Sequence, residues 1–523
     1  MEQLEITPPK SNQSVEVQLQ QILRAQFGLN QFRKGQLSVL ESVVALNDTM
    51  AVMPTGGGKS LCYQIPAILF QGLVIVISPL IALMKDQVQA LKKINVAAGC
   101  IHSGQTPDEK REVFREMRNN KAYVLYLSPE RVQNPGFIDW IKSQNVVLIA
   151  IDEAHCVSQW GSDFRPDYAK LNILRQLKPN VPILALTATA TPRVLTDIEK
   201  QLGLRQPKRH VYGFYRPNLF YQVEICTDDA QKLIMLKDAI RKTPEGRILI
   251  YCGTRKACEE LSIDLAAEFE KVAYYHAGLG NEARENIQER LDRNELRILV
   301  ATNAFGMGID YPNVRLVAHM QSPANIESLY QEMGRAGRDG QMSRCLLLYA
   351  KKDKSLHSYF INQSDAEPIV INQRWRALDT LVQFVESAEC RHGGILTYFR
   401  DTERIETCGH CDICQPTSDW VIKKPELLFA KKSAKKKVKL VKSGAAAIQN
   451  SEAEARAILL KDWRRAYSKE RDVPAFIIFS DRTLTDLANK NPSSLDDLQG
   501  VYGLGPAKIS LFGAALIKEL TGR

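Results

Sequence analysis

Nowhere in the 523 residues does an apolar run reach the roughly 18 residues that would span a bilayer, so a transmembrane helix is excluded on pattern. Residues 1–15 are polar and mixed in charge, with neither an apolar core nor a small-residue cleavage site, and a secretory signal is not expected. Internal repeats at solenoid spacing are missing as well. Bulk charge is nearly absent outside one segment. Of the formal +10, the window from Lys423 to Lys442 carries +8, with nine lysines against one glutamate. Any basic groove elsewhere must come from local arrangement, although a polyanionic partner remains compatible. The cysteines also lack a disulfide pattern. Seven of the eleven are scattered through apolar or mixed stretches, and only Cys390, Cys408, Cys411 and Cys414 form a tight set. A reducing cytoplasm with one metal site is expected.

What remains is a globular composition, 45% hydrophobic and 24% charged, in a chain long enough for three or four units. Continuous apolar runs recur, each followed by a helix-like stretch. Leu73 to Ile77, Tyr123 to Leu127, Val146 to Ile151 and Ile183 to Leu186 form one group. Arg247 to Tyr251, Ile298 to Val300, Val314 to Val317 and Leu346 to Tyr349 form a second. Apolar strands alternating with helices predict parallel sheets covered on both faces, hence two α/β lobes joined near His210 to Pro217. The expected division is a first lobe over 1–209, a second over 210–350, a helical metal-binding subdomain over 351–417, a lysine-rich linker over 418–449 and a small all-α domain over 450–523.

The first lobe holds Met53-Pro54-Thr55-Gly56-Gly57-Gly58-Lys59-Ser60 between a predicted strand and a helix starting at Lys59. Glycines there let backbone N–H groups close around phosphate oxygens at a helix N-terminus. Lys59 would reach the β- and γ-phosphates of ATP, and Ser60 would ligate Mg²⁺. Met53 stands where the strict pattern asks for glycine, and a plain glycine turn before a buried helix is the alternative. Asp152-Glu153-Ala154-His155 follows the most apolar strand and argues for the phosphate site. Asp152 is placed in the magnesium shell, and Glu153 on the attacking water.

These residues and their surroundings resemble a superfamily 2 helicase of the RecQ family. Phe27 to Gln36 is similar to its adenine-recognition motif, Ser78 to Gln87 to its motif Ia, Asp152 to Tyr168 to its motif II with an aromatic-rich loop, and Leu186 to Ala190 to its motif III. The fold implied is two tandem RecA-like lobes. By that resemblance Gln36 would bond the adenine edge with Arg33 beside it, while Leu29 replaces a stacking aromatic. Thr55, Gly56, Gly57 and Gly58 would line the phosphates, with Gly308 and Asp310 approaching from the second lobe. His155, Trp160, Phe164 and Arg165 would couple DNA to hydrolysis, and aromatic and guanidinium planes do stack on unpaired bases without reading sequence. Ser162 stands where relatives often carry histidine. For Trp160 a buried turn position is the alternative.

In the second lobe, Gln331 to Arg338 brings Gln331, Arg335 and Arg338 together. Arginines three apart share a face on a helix. Facing a triphosphate they would stabilise charge on the γ-phosphoryl group, with Arg338 the arginine finger by resemblance. The alternative is a solvated basic face. The four cysteines match a closed tetrahedral Zn²⁺ site without vacancy, and His392 and His410 are read as non-ligands.

The resemblance implies an ATP-dependent helicase translocating 3′-to-5′ on single-stranded DNA, unwinding duplexes in recombination and repair. Expected partners are single-stranded and branched DNA and, as a family theme, a single-stranded-DNA-binding protein; membranes are not. The expected location is the cytoplasm, or the nucleoid in a bacterium. Only about thirty-five residues separate Cys414 from the terminal domain, which is too short for the winged helix of many relatives. A translocase or remodeller that unwinds weakly is therefore the second reading. A non-catalytic DNA-binding scaffold is the third, against which Lys59, Asp152, Glu153 and Arg338 stand. The lysine-rich segment would hold duplex phosphates or serve as a solubilising linker. The terminal domain resembles a helicase-and-RNase-D C-terminal domain.

Overall fold

The computed structural model describes residues 14–54, 56–158, 164–305, 311–364, 366–401, 403–425, 451–470, 475–505 and 508–521, with no side-chain account of 476–477. Thr55, Trp160, Gly308, Asp310 and most of the lysine-rich segment lie outside these residues.

The first sheet comprises Thr49–Val52 (β1), Leu73–Ile77 (β2), Ala98–Ile101 (β3), Tyr123–Leu127 (β4), Val146–Ile151 (β5), Ile183–Thr187 (β6) and Lys208–Val211 (β7). Its order is β3-β4-β2-β5-β6-β1-β7, parallel throughout. The second comprises Leu219–Ile225 (β8), Arg247–Tyr251 (β9), Val272–Tyr275 (β10), Ile298–Ala301 (β11), Val314–His319 (β12) and Ser343–Tyr349 (β13). Its order is β10-β11-β9-β12-β13-β8, again parallel. The α/β reading of two parallel-sheet lobes therefore holds. Since β7 pairs with β1, the chain crosses between sheets only after Val211.

Alternation within the strands explains why both faces are apolar. Ile75, Leu125 and Ile149 enter one buried cluster and Val74, Val124 and Leu148 another, so each sheet needs helices on both sides. The first of these clusters runs on through Leu249, Val317 and Leu347 of the second lobe to Leu396 and Cys411. Helices Lys351–Asn362, Pro368–Glu386 and Arg391–Tyr398 carry the chain to the cysteine set. The terminal domain has a separate core built on Leu460, Phe479, Leu487 and Phe512.

Candidate active site and metal centre

β1 and β5 end on the same edge of the first sheet, where open α/β sheets place their ligand sites. After Met53, whose N–H donates to Thr187 O, the chain turns with positive φ at Gly56 (+78°) and Gly58 (+77°). Glycine alone takes these angles without strain. Helix Leu61–Phe70 then begins, two residues later than the predicted start, with Ser60 as its N-cap. Lys59 Nζ lies 3.5 Å from Met53 O, curled back over the turn. Gln36 is buried and donates to Gly58 O at 2.9 Å, while its Oε1 accepts from Arg33 N at 2.7 Å. Arg33 in turn donates to Gly56 O. The two expected adenine readers thus hold the phosphate loop, and Leu29 beside them is exposed.

Asp152 sits at the end of β5, its N–H bonded to Ile77 O. Burial, then the neighbouring Glu153 charge, push its pKa up to about 7, with Lys59 opposing. A buried carboxylate held that high beside a lysine suits a site completed by a cation. Glu153 takes a left-handed conformation (φ 47°), which turns its side chain back toward His155, with Oε2 3.4 Å from Nδ1. His155 Nδ1 also meets Thr187 Oγ1 at 2.9 Å. The Thr187 hydroxyl donates to Thr189 O, so the imidazole proton sits on Nδ1 and points at Thr187.

The second lobe reaches this edge in two places. Gln331 Nε2 donates to Thr189 Oγ1 at 2.9 Å. A side chain on Gly56 would fall 3.2 Å from Arg338 Cγ, so the Arg338 stem lies against the phosphate loop. Buried contacts therefore run from Glu153 through His155, Thr187 and Thr189 to Gln331. Arg335 is 7% exposed and lies by the Tyr251 phenol. The expectation that Arg335 and Arg338 share a helix face is corrected. The helix is Ile326–Met333, capped at Gly334, and Gly337 turns left-handed at φ 56°. Both arginines belong to the turn after the helix.

Of the aromatic-rich loop, Arg165 donates to Pro79 O at 3.2 Å, joining the loop to the stretch Ser78 to Gln87. Tyr168 donates to Asp152 O at 3.1 Å, tying the loop to the end of β5. Phe164 lines a cavity of about 820 Å³ with Asn303, Gln321, His357 and Arg374 of the second lobe and the helices after it. Thr187, Thr189 and Tyr168 had been read only as parts of motifs. The signal for them was their place directly after or facing a buried strand.

Cys390, Cys408, Cys411 and Cys414 bring their sulfurs within 4.8 Å of one another, with Cys408 and Cys414 at 3.9 Å. Ligands about 2.3 Å from a tetrahedral zinc stand nearly 3.8 Å apart, so the cluster fits the ion. All eleven cysteines are free thiols. His392 Nε2 donates to Leu219 O at 3.0 Å, and burial brings its pKa down to about 4. It props β8 against the subdomain. His392, His410 and Cys408 also cluster within reach of one ion, but the four thiols alone complete the shell.

Comparison with known proteins agrees with this layout. Residues 33–198 match the DEAD/DEAH box helicase family, 231–340 the helicase conserved C-terminal domain, 351–415 the RecQ zinc-binding family and 453–520 the HRDC domain. The chain is 34% identical to the ATP-dependent DNA helicase RecQ of Bacillus subtilis, over 96% of this chain and 98% of that protein. It is 41% identical to the RecQ of Haemophilus influenzae over 75% of this chain and 63% of the relative. Among solved structures, the fold matches the Mycobacterium smegmatis helicase Lhr bound to ssDNA and AMP-PNP, with TM-score 0.52 and 21% identity, over 68% of this chain and 52% of that one. It also matches the DUF1998 helicase MrfA bound to DNA and AMPPNP, with TM-score 0.53 and 19% identity, over 71% and 57%. With phosphate loop, adjacent carboxylates, second-lobe arginines and cysteine cluster all in place, the chain belongs to the RecQ family of ATP-dependent DNA helicases.

Proposed function

We propose that ATP hydrolysis in the cleft between the two lobes drives 3′-to-5′ movement on single-stranded DNA and the unwinding of duplex and branched DNA in recombination and repair. The observation that carries this reading is the meeting of the lobes at the nucleotide site, with Arg338 on the loop at Gly56 and Gln331 bonded to Thr189. Each lobe owns half of the chemistry, so lobe movement and hydrolysis are coupled.

Gly56, Gly57, Gly58 and Thr55 hold the phosphates, Lys59 the β- and γ-phosphates, and Gln36 with Arg33 the base. To do so Gln36 and Arg33 exchange their bonds to the loop carbonyls for bonds to nucleotide, so loop and base pocket respond together. Ser60 and Asp152 would hold Mg²⁺, and the resemblance assigns Gly308 and Asp310 of the second lobe to the same nucleotide. When bound, Mg²⁺ neutralises charge on the phosphate oxygens. Glu153, steered by His155, orients water and takes its proton. Arg338 and Arg335 face the developing γ-phosphoryl charge. Trp160, Phe164 and Arg165 contact unpaired bases and report them to Asp152 through Tyr168. Contact with a single-stranded-DNA-binding protein and a cytoplasmic or nucleoid location rest on the resemblance. Among the described residues no helix is long and apolar enough to cross a membrane.

A second reading follows from chain length. Residues 418–425 already pack back on the second lobe, with Ile422 bonded to Gln222, which leaves 25 residues (426–450) before the terminal domain. That is below the domain minimum, so the chain would hydrolyse ATP and translocate while separating strands weakly. The test is hydrolysis and strand displacement on 3′-tailed and 5′-tailed duplexes, wild type beside Lys59→Ala. Displacement on the 3′ tail alone, lost in Lys59→Ala, supports the helicase. DNA-stimulated hydrolysis without displacement supports the translocase, and 5′ preference sinks the polarity.

The Asp152 pKa gives a further check. A carboxylate near 7 must lose its proton to hold a cation, so Mg²⁺ affinity falls about tenfold per pH unit below 7. Mg²⁺ titrations at several pH values measure it; affinity flat down to about pH 5 would mean that Asp152 is not held near 7 or does not bind the ion.

A further inference from the structure

The arginines of the second lobe stand on a turn that carries little regular structure of its own. Helix Ile326–Met333 ends at Gly334, and the carbonyls of its last turn and of the following residues need partners. Arg216 and Asn218 supply them. Arg216 Nη1 donates to Gly334 O at 3.3 Å, and Nη2 to Ala336 O at 3.0 Å and Gly337 O at 3.1 Å. Asn218 Nδ2 donates to Gly337 O at 2.8 Å and Gln341 O at 3.0 Å. A side chain on Gly337 would collide with the Asn218 amide, so the packing there is close. The carbonyls that are gripped alternate with Arg335 and Arg338 along the chain.

A guanidinium fits this task better than an ammonium. Its donors form a fixed fork, so three carbonyls are held in one geometry, and its charge complements the negative end of the helix. Arg216 and Asn218 are in turn held from the other side. Leu219 N bonds Arg216 O, and Ser343 N bonds Asn218 O. Directly afterwards β8 is clasped by the cysteine subdomain, through His392 on Leu219 O, a bridge between Tyr221 and Cys411, and Asp412 on Val223 N. Phe214, just before, stacks on Phe399 at 4.2 Å and accepts from the Tyr330 hydroxyl.

We infer that Arg216 and Asn218 are positioning residues for the arginine finger: they fix the turn 334–341 so that Arg338 meets the phosphate loop, and they tie that turn to the strand on which the cysteine subdomain is built. The inference rests on the reading of Arg338 proposed above. Both act through the backbone of the turn. An arginine misplaced by about 1 Å loses transition-state contact while ground-state nucleotide binding persists.

The test uses the full chain and DNA-stimulated ATP hydrolysis, with zinc content and single-strand affinity measured alongside. Arg338→Ala is expected to lower kcat about 10³-fold. Arg216→Ala is expected to lower kcat between about 10- and 100-fold, with KM for ATP, zinc content and DNA affinity at wild-type values. Arg216→Lys should recover part of the loss. In the double variant Arg216→Ala, Arg338→Ala, the two losses should combine to well under their product, because only Arg335 is left on the turn for Arg216 to position. Wild-type kcat in Arg216→Ala, or losses that multiply in the double variant, would overturn the inference while leaving the role of Arg338 intact. Wild-type kcat in Arg338→Ala would overturn that role and the inference with it. Should Arg216→Ala fold poorly, Asn218→Ala carries the same cycle, since it removes only the two amide bonds.

Discussion

The cysteine subdomain and the terminal helical domain both follow the second lobe, yet they are attached in opposite ways. The cysteine subdomain shares one buried cluster with both lobes, from Leu249 through Phe399 to Cys411. Its polar contacts to the lobe are desolvated as well. Asp412 accepts from Val223 N of the lobe, and Arg391 of its own subdomain holds that carboxylate at 3.0 Å, with both side chains under 10% exposed. The terminal domain closes its own core and touches the rest through polar groups, among them the partly exposed Glu386, Glu389 and Tyr502. Ala388 N donates to Asp481, Tyr502 to Glu386 at 3.3 Å, and Arg464 approaches Glu389 at 3.8 Å. The first arrangement makes the metal site part of the motor's frame. The second describes a module resting on a surface, at the end of a charged tether.

The largest test of that contrast is the metal. A structural zinc contributes on the order of 10 kcal/mol to small domains that depend on it. Cys411→Ser is expected to lower soluble yield and the unfolding temperature of the lobes themselves, not only of the subdomain, because β8 is bridged at Tyr221 to Cys411. Scanning calorimetry with zinc analysis measures it; a metal-free chain with wild-type stability and activity would sink the assignment.

Two buried arginines then sharpen the comparison. Arg391→Ala leaves Asp412 buried without its partner, which costs about 3–5 kcal/mol. The loss should appear in the main unfolding transition. Arg464 is equally buried, but it donates to Phe479 O and Asp481 within the terminal domain. Arg464→Ala should melt that domain alone and leave DNA-stimulated hydrolysis within about twofold of wild type. One shared transition for both variants would show that the two attachments are alike. Truncation after residue 425 makes the same point more weakly. Hydrolysis should persist, while DNA affinity falls and its dependence on salt becomes shallower as lysine contacts to phosphate are removed.

Much of this was legible in the residues, for physical reasons that also mark the limit. Val146–Ile151 is buried on both faces, so its sequence could only be an uninterrupted apolar run. Lys208–Val211 and Val272–Tyr275 lie at sheet edges and are half exposed, so they carry no such run. The cysteine cluster was readable because thiol pairs at close spacing have few other uses. The arginine spacing misled, since Gly334 and Gly337 convert a helical period into a turn. Arg216 and Asn218 were silent because their side chains bond to backbone, which leaves no complementary residue to find. For Gln36 the identity was readable but not its bonds to Gly57 and Gly58 carbonyls, which depend on how the loop folds.

The smallest effect concerns how firmly the terminal domain rests, and its sign follows from the groups at the contact. Burial raises the pKa of Glu386, near Arg482, Tyr502, Lys354 and Lys351, and of Glu389, near Arg464, Asp481, Arg465 and Lys461. Between the ordinary value of 4.5 and those raised values the docked form holds protons that the released form gives up, so docking weakens as pH rises through that window. Lys508 shifts the other way: burial brings its pKa down to about 8, with Asp379 opposing. Between about 8 and its ordinary 10.5 the docked form binds fewer protons, so docking strengthens as pH rises there. Docking is therefore weakest between the raised carboxylate values and about 8, and firmer on either side, by less than about 1 kcal/mol given the partial exposure of these groups. The Ala388 amide, which donates to Asp481, reports it directly. Its exchange protection, corrected for intrinsic rates, should fall as pH rises above 4.5 and recover as pH passes about 8. Protection that rises steadily from acid to neutral pH would mean that the Arg464 attractions outweigh carboxylate burial, and the terminal domain would then be held much as the cysteine subdomain is.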